Sequence, residues 1–158
     1  MPTKTIPKSI QSLIQREAEL QSAADRWSVA AFRAERDRLE TIVHSGSATD
    51  SDIEAHAATR DGGKVDKDYQ AMSASSQAAL DAHRRASWPQ FREFLKSRLE
   101  ARRAREESIA EDVAALRGKH GIEIDYFDPE AGTTAQLSYI CQQEDISFYS
   151  FSNAAEIF

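Results

Sequence analysis

The segment SWPQFREFLKSRLEARRAREESIAEDVAALRGKH, from Ser87 to His120, carries a helix start, an apolar stripe and a helix stop. Ser87 is placed to cap the first turn, with Gln90 as its reciprocal partner three residues on. Pro89 sits where a missing N–H costs little. Gly118 and Gly121 flank the end, and Arg117, Lys119 and His120 occupy the last turn, where cations complement the helix dipole. Such a helix runs for about 50 Å at 1.5 Å per residue. That exceeds the interior of a one-domain chain of 158 residues, so the rest of the molecule has to organise itself along the helix.

A second long helix is predicted over Lys8–Val43. Ile6, Ile10, Leu13, Leu20, Ala24, Trp27, Ala31 and Ala34 recur at alternating steps of three and four once Glu17 is admitted to the row. His44, Ser45 and Gly46 end it. Ser45–Lys64 reads as a polar connector, within which Ser51 and Glu54 have capping-box spacing for a short helix ending before Gly62-Gly63. Val65–Ala86 is helical in pattern but poor in large apolar residues, and Ser87-Trp88-Pro89 marks either a kink or a corner between two helices. The apolar fraction of 41% includes 25 alanines, which suits helix seams better than a thick core.

After Gly121 the period changes from helical to alternating. Ile122–Phe127, Thr133–Cys141 and Ile146–Phe151 read as three strands, separated by Asp128-Pro129-Glu130-Ala131-Gly132 and by Gln142–Asp145. The fold class expected is therefore α+β, mainly α. Two long antiparallel helices, with one or two shorter ones, would form a coiled-coil-like helical region over 1–120. A small three-stranded antiparallel β-meander would occupy 121–158.

Charge is segregated along the chain. Arg84–Arg105 holds eight basic residues against two acidic ones, whereas Gly121–Phe158 holds seven acids and no Lys or Arg. The overall charge of −6 conceals this division. Arg92, Lys96, Arg98, Arg102, Arg103 and Arg105 form stripes able to neutralise phosphates or to meet an acidic protein surface. Tyr126, Phe127, Tyr139, Tyr149 and Phe151, spread over both faces of the expected meander, are the candidate protein interface.

No pattern of catalytic or cofactor chemistry is present: no glycine-rich phosphate loop, nucleophile elbow, CxxC pair or HExxH. Asp52 and His56 lie one helical turn apart, but two ligands do not make a metal site. Cys141 has no base beside it in sequence and reads as a half-buried structural residue. Glu123, Asp125 and Asp128 lack the spacing of a calcium loop. The expectation is a non-enzymatic interaction or assembly protein without cofactor or metal, homodimeric and bound to a protein partner. The alternative is a nucleic-acid-associated protein using the Arg84–Arg105 stripe. No apolar run approaches the roughly 18 residues of a membrane span. Met1–Pro7 lacks the apolar stretch of a signal peptide, and the lone cysteine fits a reducing compartment, so cytoplasmic residence is expected.

Overall fold

The computed structural model describes residues 6–60, 62–121, 123, 131–145 and 150–156. Among these there are six helices and no strand: α1 Lys8–Arg26, α2 Val29–His44, α3 Asp50–Ala58, α4 Lys64–His120, α5 Ala131–Gln142 and α6 Phe151–Glu156. The chain divides into two compact units. Unit 1 comprises Met1–Ile14 and Arg84–Phe158, and unit 2 comprises Gln15–His83.

The expected β-meander is overturned. Its middle strand, Thr133–Cys141, lies inside helix α5. Most of Ile122–Phe127 and of Ile146–Phe151 falls outside the described residues; Glu123 is in neither helix nor strand, and Phe151 opens α6. The physical reason can be read along α5. Leu137, Ile140 and Cys141 are buried at helical spacing, whereas Tyr139 is 54% exposed. Leu137 and Cys141 satisfy a period of two and a period of 3.6 equally, so a short apolar run leaves the choice open. Burial of Ile140 decides it, because a strand would place that residue opposite Leu137.

The helix boundaries also need correction. The predicted helix Lys8–Val43 is two helices, broken at Trp27 and Ser28. Ser28 has extended backbone (φ −70°, ψ 157°) and its hydroxyl accepts from the Ala31 N–H, capping α2. Of the kink or corner predicted at Ser87-Trp88-Pro89, the corner between two helices does not occur, since α4 is one helix of 57 residues that includes Pro89. Ser87 is therefore a buried mid-helix residue and not a cap. Pro89 forfeits its i→i−4 hydrogen bond, a disruption of about 3 kcal/mol in an isolated helix. Burial of Trp88 and Phe91 on either side of it offsets that cost. The stops were legible: α2 ends at His44 before Gly46 (φ 76°), and α4 ends at His120 before Gly121 (φ 63°), both glycines taking the left-handed conformation.

Unit 1 has one core. Ile10, Trp88, Phe91, Leu95, Leu99, Leu137, Ile140, Cys141, Phe151 and Ala154 form a continuous buried cluster, flanked by Ile6, Leu13, Ile14, Phe94 and Ala155. Phe91 is its centre: fully buried, it stacks on Phe151 with ring centroids 4.5 Å apart and planes 24° from parallel. Trp88 and Phe94 approach it at 6.4 Å and 6.0 Å. Leu95 and Leu99 continue the stripe along α4; of the four residues whose burial the sequence predicts, Phe91, Leu95 and Leu99 are buried and Trp27 is half-buried.

Unit 2 is held more thinly. Ala24, Leu39 and Leu80 are its buried apolar residues, and Glu17, the charged member of the α1 stripe, is buried with them. Tyr69 of α4 meets Trp27 edge-on at 5.0 Å and Phe32 at 5.1 Å. The capping box of α3 is Thr49 with Asp52, two residues earlier than the Ser51–Glu54 pair read from the sequence. Gly63 follows α3 at a position where a Cβ would lie 2.8 Å from the Ala58 and Arg60 carbonyl oxygens, so only glycine fits.

Two outcomes follow from this packing. Phe91→Ala, which empties the centre of the unit 1 core, is expected to cost about 3–5 kcal/mol in chemical denaturation, whereas Met72→Ala, on an exposed position, should stay within about 0.5 kcal/mol. Hydrogen bonds from the Thr49 hydroxyl, then from its backbone N–H, hold Asp52 below the usual carboxylate range. A carboxylate with a folded pKa below its unfolded one stabilises above the unfolded value and loses that contribution as pH falls through the folded one. The helical Cα shifts of α3 should therefore fade on acidification below the ordinary aspartate range, and Asp52→Ala should weaken them already at neutral pH.

Candidate functional site

The Arg-rich face of α4 is a dense cluster of charge, and in unit 1 two of its arginines, Arg92 and Arg103, are committed to helix α5. Arg92, half-buried, donates from Nε to the Cys141 carbonyl at 2.7 Å. Arg103 donates from Nη2 to the Ser138 hydroxyl at 3.1 Å, and the Thr134 hydroxyl donates to Glu106. The Trp88 indole N–H reaches the Gln143 carbonyl at 3.4 Å. Read in order, residues 134, 138, 141 and 143 meet 106, 103, 92 and 88, so α5 lies antiparallel along α4.

That register has an electrostatic logic. Helix α5 has no acidic residue in its first turn and no basic residue in its last. Its N-terminal end, where the dipole favours negative charge, receives Glu106. Its C-terminal end, where orphan carbonyls collect, receives Arg92. The complement that most helices carry on their own termini is supplied here by the helix alongside.

The remaining stripe residues have varied surroundings. Lys96 pairs with Glu93 at 2.7 Å, and hydrogen bonding from that lysine holds the Glu93 carboxyl below its ordinary range. The Arg98 guanidinium lies 5.4 Å from the centroid of the Phe94 ring, a cation–π distance. Arg102 is half-buried and, like Arg98, is engaged within the chain. Arg105 is exposed.

Of the candidate interface residues, Tyr126, Phe127 and Tyr149 lie outside the described residues. Tyr139 is exposed on α5. Phe151 is wholly buried against Phe91 and therefore belongs to the core and not to a surface. The docking of α5 was missed from the sequence, although the triplet Leu137, Ile140 and Cys141 carried the signal at i, i+3 and i+4.

Elsewhere the described residues gather no chemistry. Among them no group of three His, Cys, Asp or Glu side chains is placed to hold a metal ion. Asp52, considered with His56, is turned into the α3 cap. An open depression at the end of α2 is lined by Asp37, Glu40, Thr41, His44 and Ser45, with the His44 ring nitrogen Nδ1 2.8 Å from the Glu40 carbonyl of its own helix. Burial pushes the Cys141 thiol pKa up, against the opposing pull of Arg92, Lys96 and Arg103. No described helix is long and apolar enough to cross a membrane.

The described residues define a helical protein of six helices, one of them long. Comparison with protein-family models, with curated proteins and with solved structures returned no match.

Arg92→Ala removes a charge-assisted hydrogen bond to a helix-end carbonyl and is expected to lower the stability of unit 1 by about 1.5–3 kcal/mol by denaturation. Lys96→Ala breaks an exposed i,i+3 pair and should cost no more than about 1 kcal/mol. Cys141, buried and held in its thiol form, should react with a thiol reagent far more slowly than free cysteine until denaturant is added. Native-state labelling at the free-cysteine rate would contradict the docked position of α5.

Proposed function

We propose that this is a non-enzymatic interaction or assembly protein of the cytoplasm that works through helical surfaces, with a second copy of itself as its first partner. The supporting observation is the stripe of α4 itself. Leu95, Leu99, Arg102, Glu106, Ile109, Val113 and Leu116 follow one another at steps of three and four, the spacing of a coiled-coil seam. Its first part lies in the core of unit 1, while Ile109 and Val113 are half-buried and Leu116 is 47% exposed. Tyr139 adds an exposed aromatic on α5. Apolar residues carried beyond the packed part of a seam suit a partner helix, and a two-fold dimer is the commonest symmetric arrangement.

The C-terminal sheet once expected to contribute a surface has no part in this reading. The nucleic-acid alternative is weakened by the same geometry, because Arg92, Lys96 and Arg103 already serve groups within the chain.

Light scattering at micromolar concentration tests the proposal. A mass of twice 17.6 kDa, reduced toward one chain by Leu116→Glu, is the expected result. A single-chain mass at every concentration would remove self-association. Measurable binding of a DNA or RNA oligomer that weakens with salt would favour the alternative.

A further inference from the structure

We propose that the break between α1 and α2 is conditional, a two-state element that Tyr69 of α4 holds in its bent form. Apart from Ser28, a residue suited to capping, the sequence across the break fits a continuous helix. From Lys8 to His44 there is no glycine or proline, and alanines flank the junction at Ala23, Ala24, Ala30 and Ala31. The row Leu20, Ala24, Trp27, Ala31 and Ala34 keeps its alternation of four and three straight through it. Nevertheless α1 stops at Arg26, with the Trp27 and Ser28 N–H groups turning to the Ala24 and Asp25 carbonyls at 3.1 Å and 3.2 Å.

The bend leaves a deficit that a straight helix would not have. Val29 and Ala30 open α2, where backbone N–H groups have no intrahelical acceptor; in a continuous helix they would donate to Asp25 and Arg26. Only the Ser28 hydroxyl compensates locally, through the Ala31 N–H. No described non-glycine residue has a positive φ, so no left-handed residue locks the junction. Bringing ψ of Ser28 from 157° into the helical region is a step any residue can take.

What tips the balance is tertiary. Trp27 and Phe32 both pack on the one Tyr69 ring, at 5.0 Å and 5.1 Å. On a continuous helix residues five apart point about 140° away from each other, so the two rings share Tyr69 because the helix is broken. An event that withdraws Tyr69 favours a single helix over Lys8–His44. The junction thus couples the surroundings of α4 near Tyr69 to the conformation of the N-terminal helices. This inference does not depend on the proposed self-association.

Amide hydrogen exchange on the full chain tests it, read at Val29 and Ala30. In the wild type and in Tyr69→Phe, which keeps the ring, both amides exchange fast. Tyr69→Ala is expected to raise their protection on the order of tenfold or more while α1 and α2 stay protected. Val29→Pro is compatible with the bent form, because it falls at the first position of α2 behind an extended residue, and it forbids the straight one. Combined with Tyr69→Ala it should hold Ala30 at the wild-type rate. If Tyr69→Ala unfolds the chain, Phe32→Leu, which removes one of the two rings, carries the same expectation. No gain in protection in any folded variant, or unfolding by Val29→Pro alone, overturns the proposal.

Discussion

Unit 1 depends on one face of α4. Trp88, Phe91, Leu95 and Leu99 present a continuous apolar strip, and every other element of the unit reaches it: Ile10 of α1, Leu137 and Ile140 of α5, and Phe151 and Ala154 of α6. Two of these partners are too short to be stable helices alone. Helix α6 has only six residues and α5 twelve, short of the length at which isolated helices persist in water. Their folded form is conferred by burial against α4, each large side chain contributing about 1.5–3 kcal/mol.

The same helix supplies the electrostatics. An Arg-rich stripe of this density suggests a polyanion when met in sequence, because unpaired arginines on a helix face are the usual footprint of phosphate binding. In the folded unit Arg92 and Arg103 are turned to a carbonyl and a hydroxyl of α5, and Glu106 meets its opposite end. Arginine suits the task, since its fixed fork of donors reaches backbone oxygens at the edge of an apolar core without leaving its stem exposed. The charged residues of α4 thus partly serve docking within one molecule, through the carbonyls and hydroxyls of an uncharged α5.

Two places show tertiary packing overruling local preference in opposite senses. At Pro89 a residue that breaks helices sits inside one, because Trp88 and Phe91 are both buried where they stand. At Trp27 and Ser28 an alanine-flanked helix without glycine or proline is interrupted, where the Ser28 hydroxyl caps α2 and Trp27 and Phe32 both pack on Tyr69. Each deviation costs no more than about a few kcal/mol, within reach of a buried aromatic or two.

The sequence by itself determined what local chemistry settles. The helical character of 8–44 and 64–120, the stops at Gly46 and Gly121 and the burial of Phe91, Leu95 and Leu99 were legible, because periodicity and capping act over a turn or two of chain. The segregation of charge was equally plain, though not what the arginines touch. Tertiary structure alone decided that Thr133–Cys141 is a helix and that α4 passes through Pro89, whereas the break in the N-terminal helix combines the local Ser28 cap with the distant Tyr69 contact. Leu137 and Cys141 fit a strand and a helix alike, and only the strip on α4 that receives Ile140 separates the two. Pairings between residues 88 and 143 or 27 and 69 are distant in sequence and leave no local trace, yet they set the energies that choose between local structures of nearly equal stability.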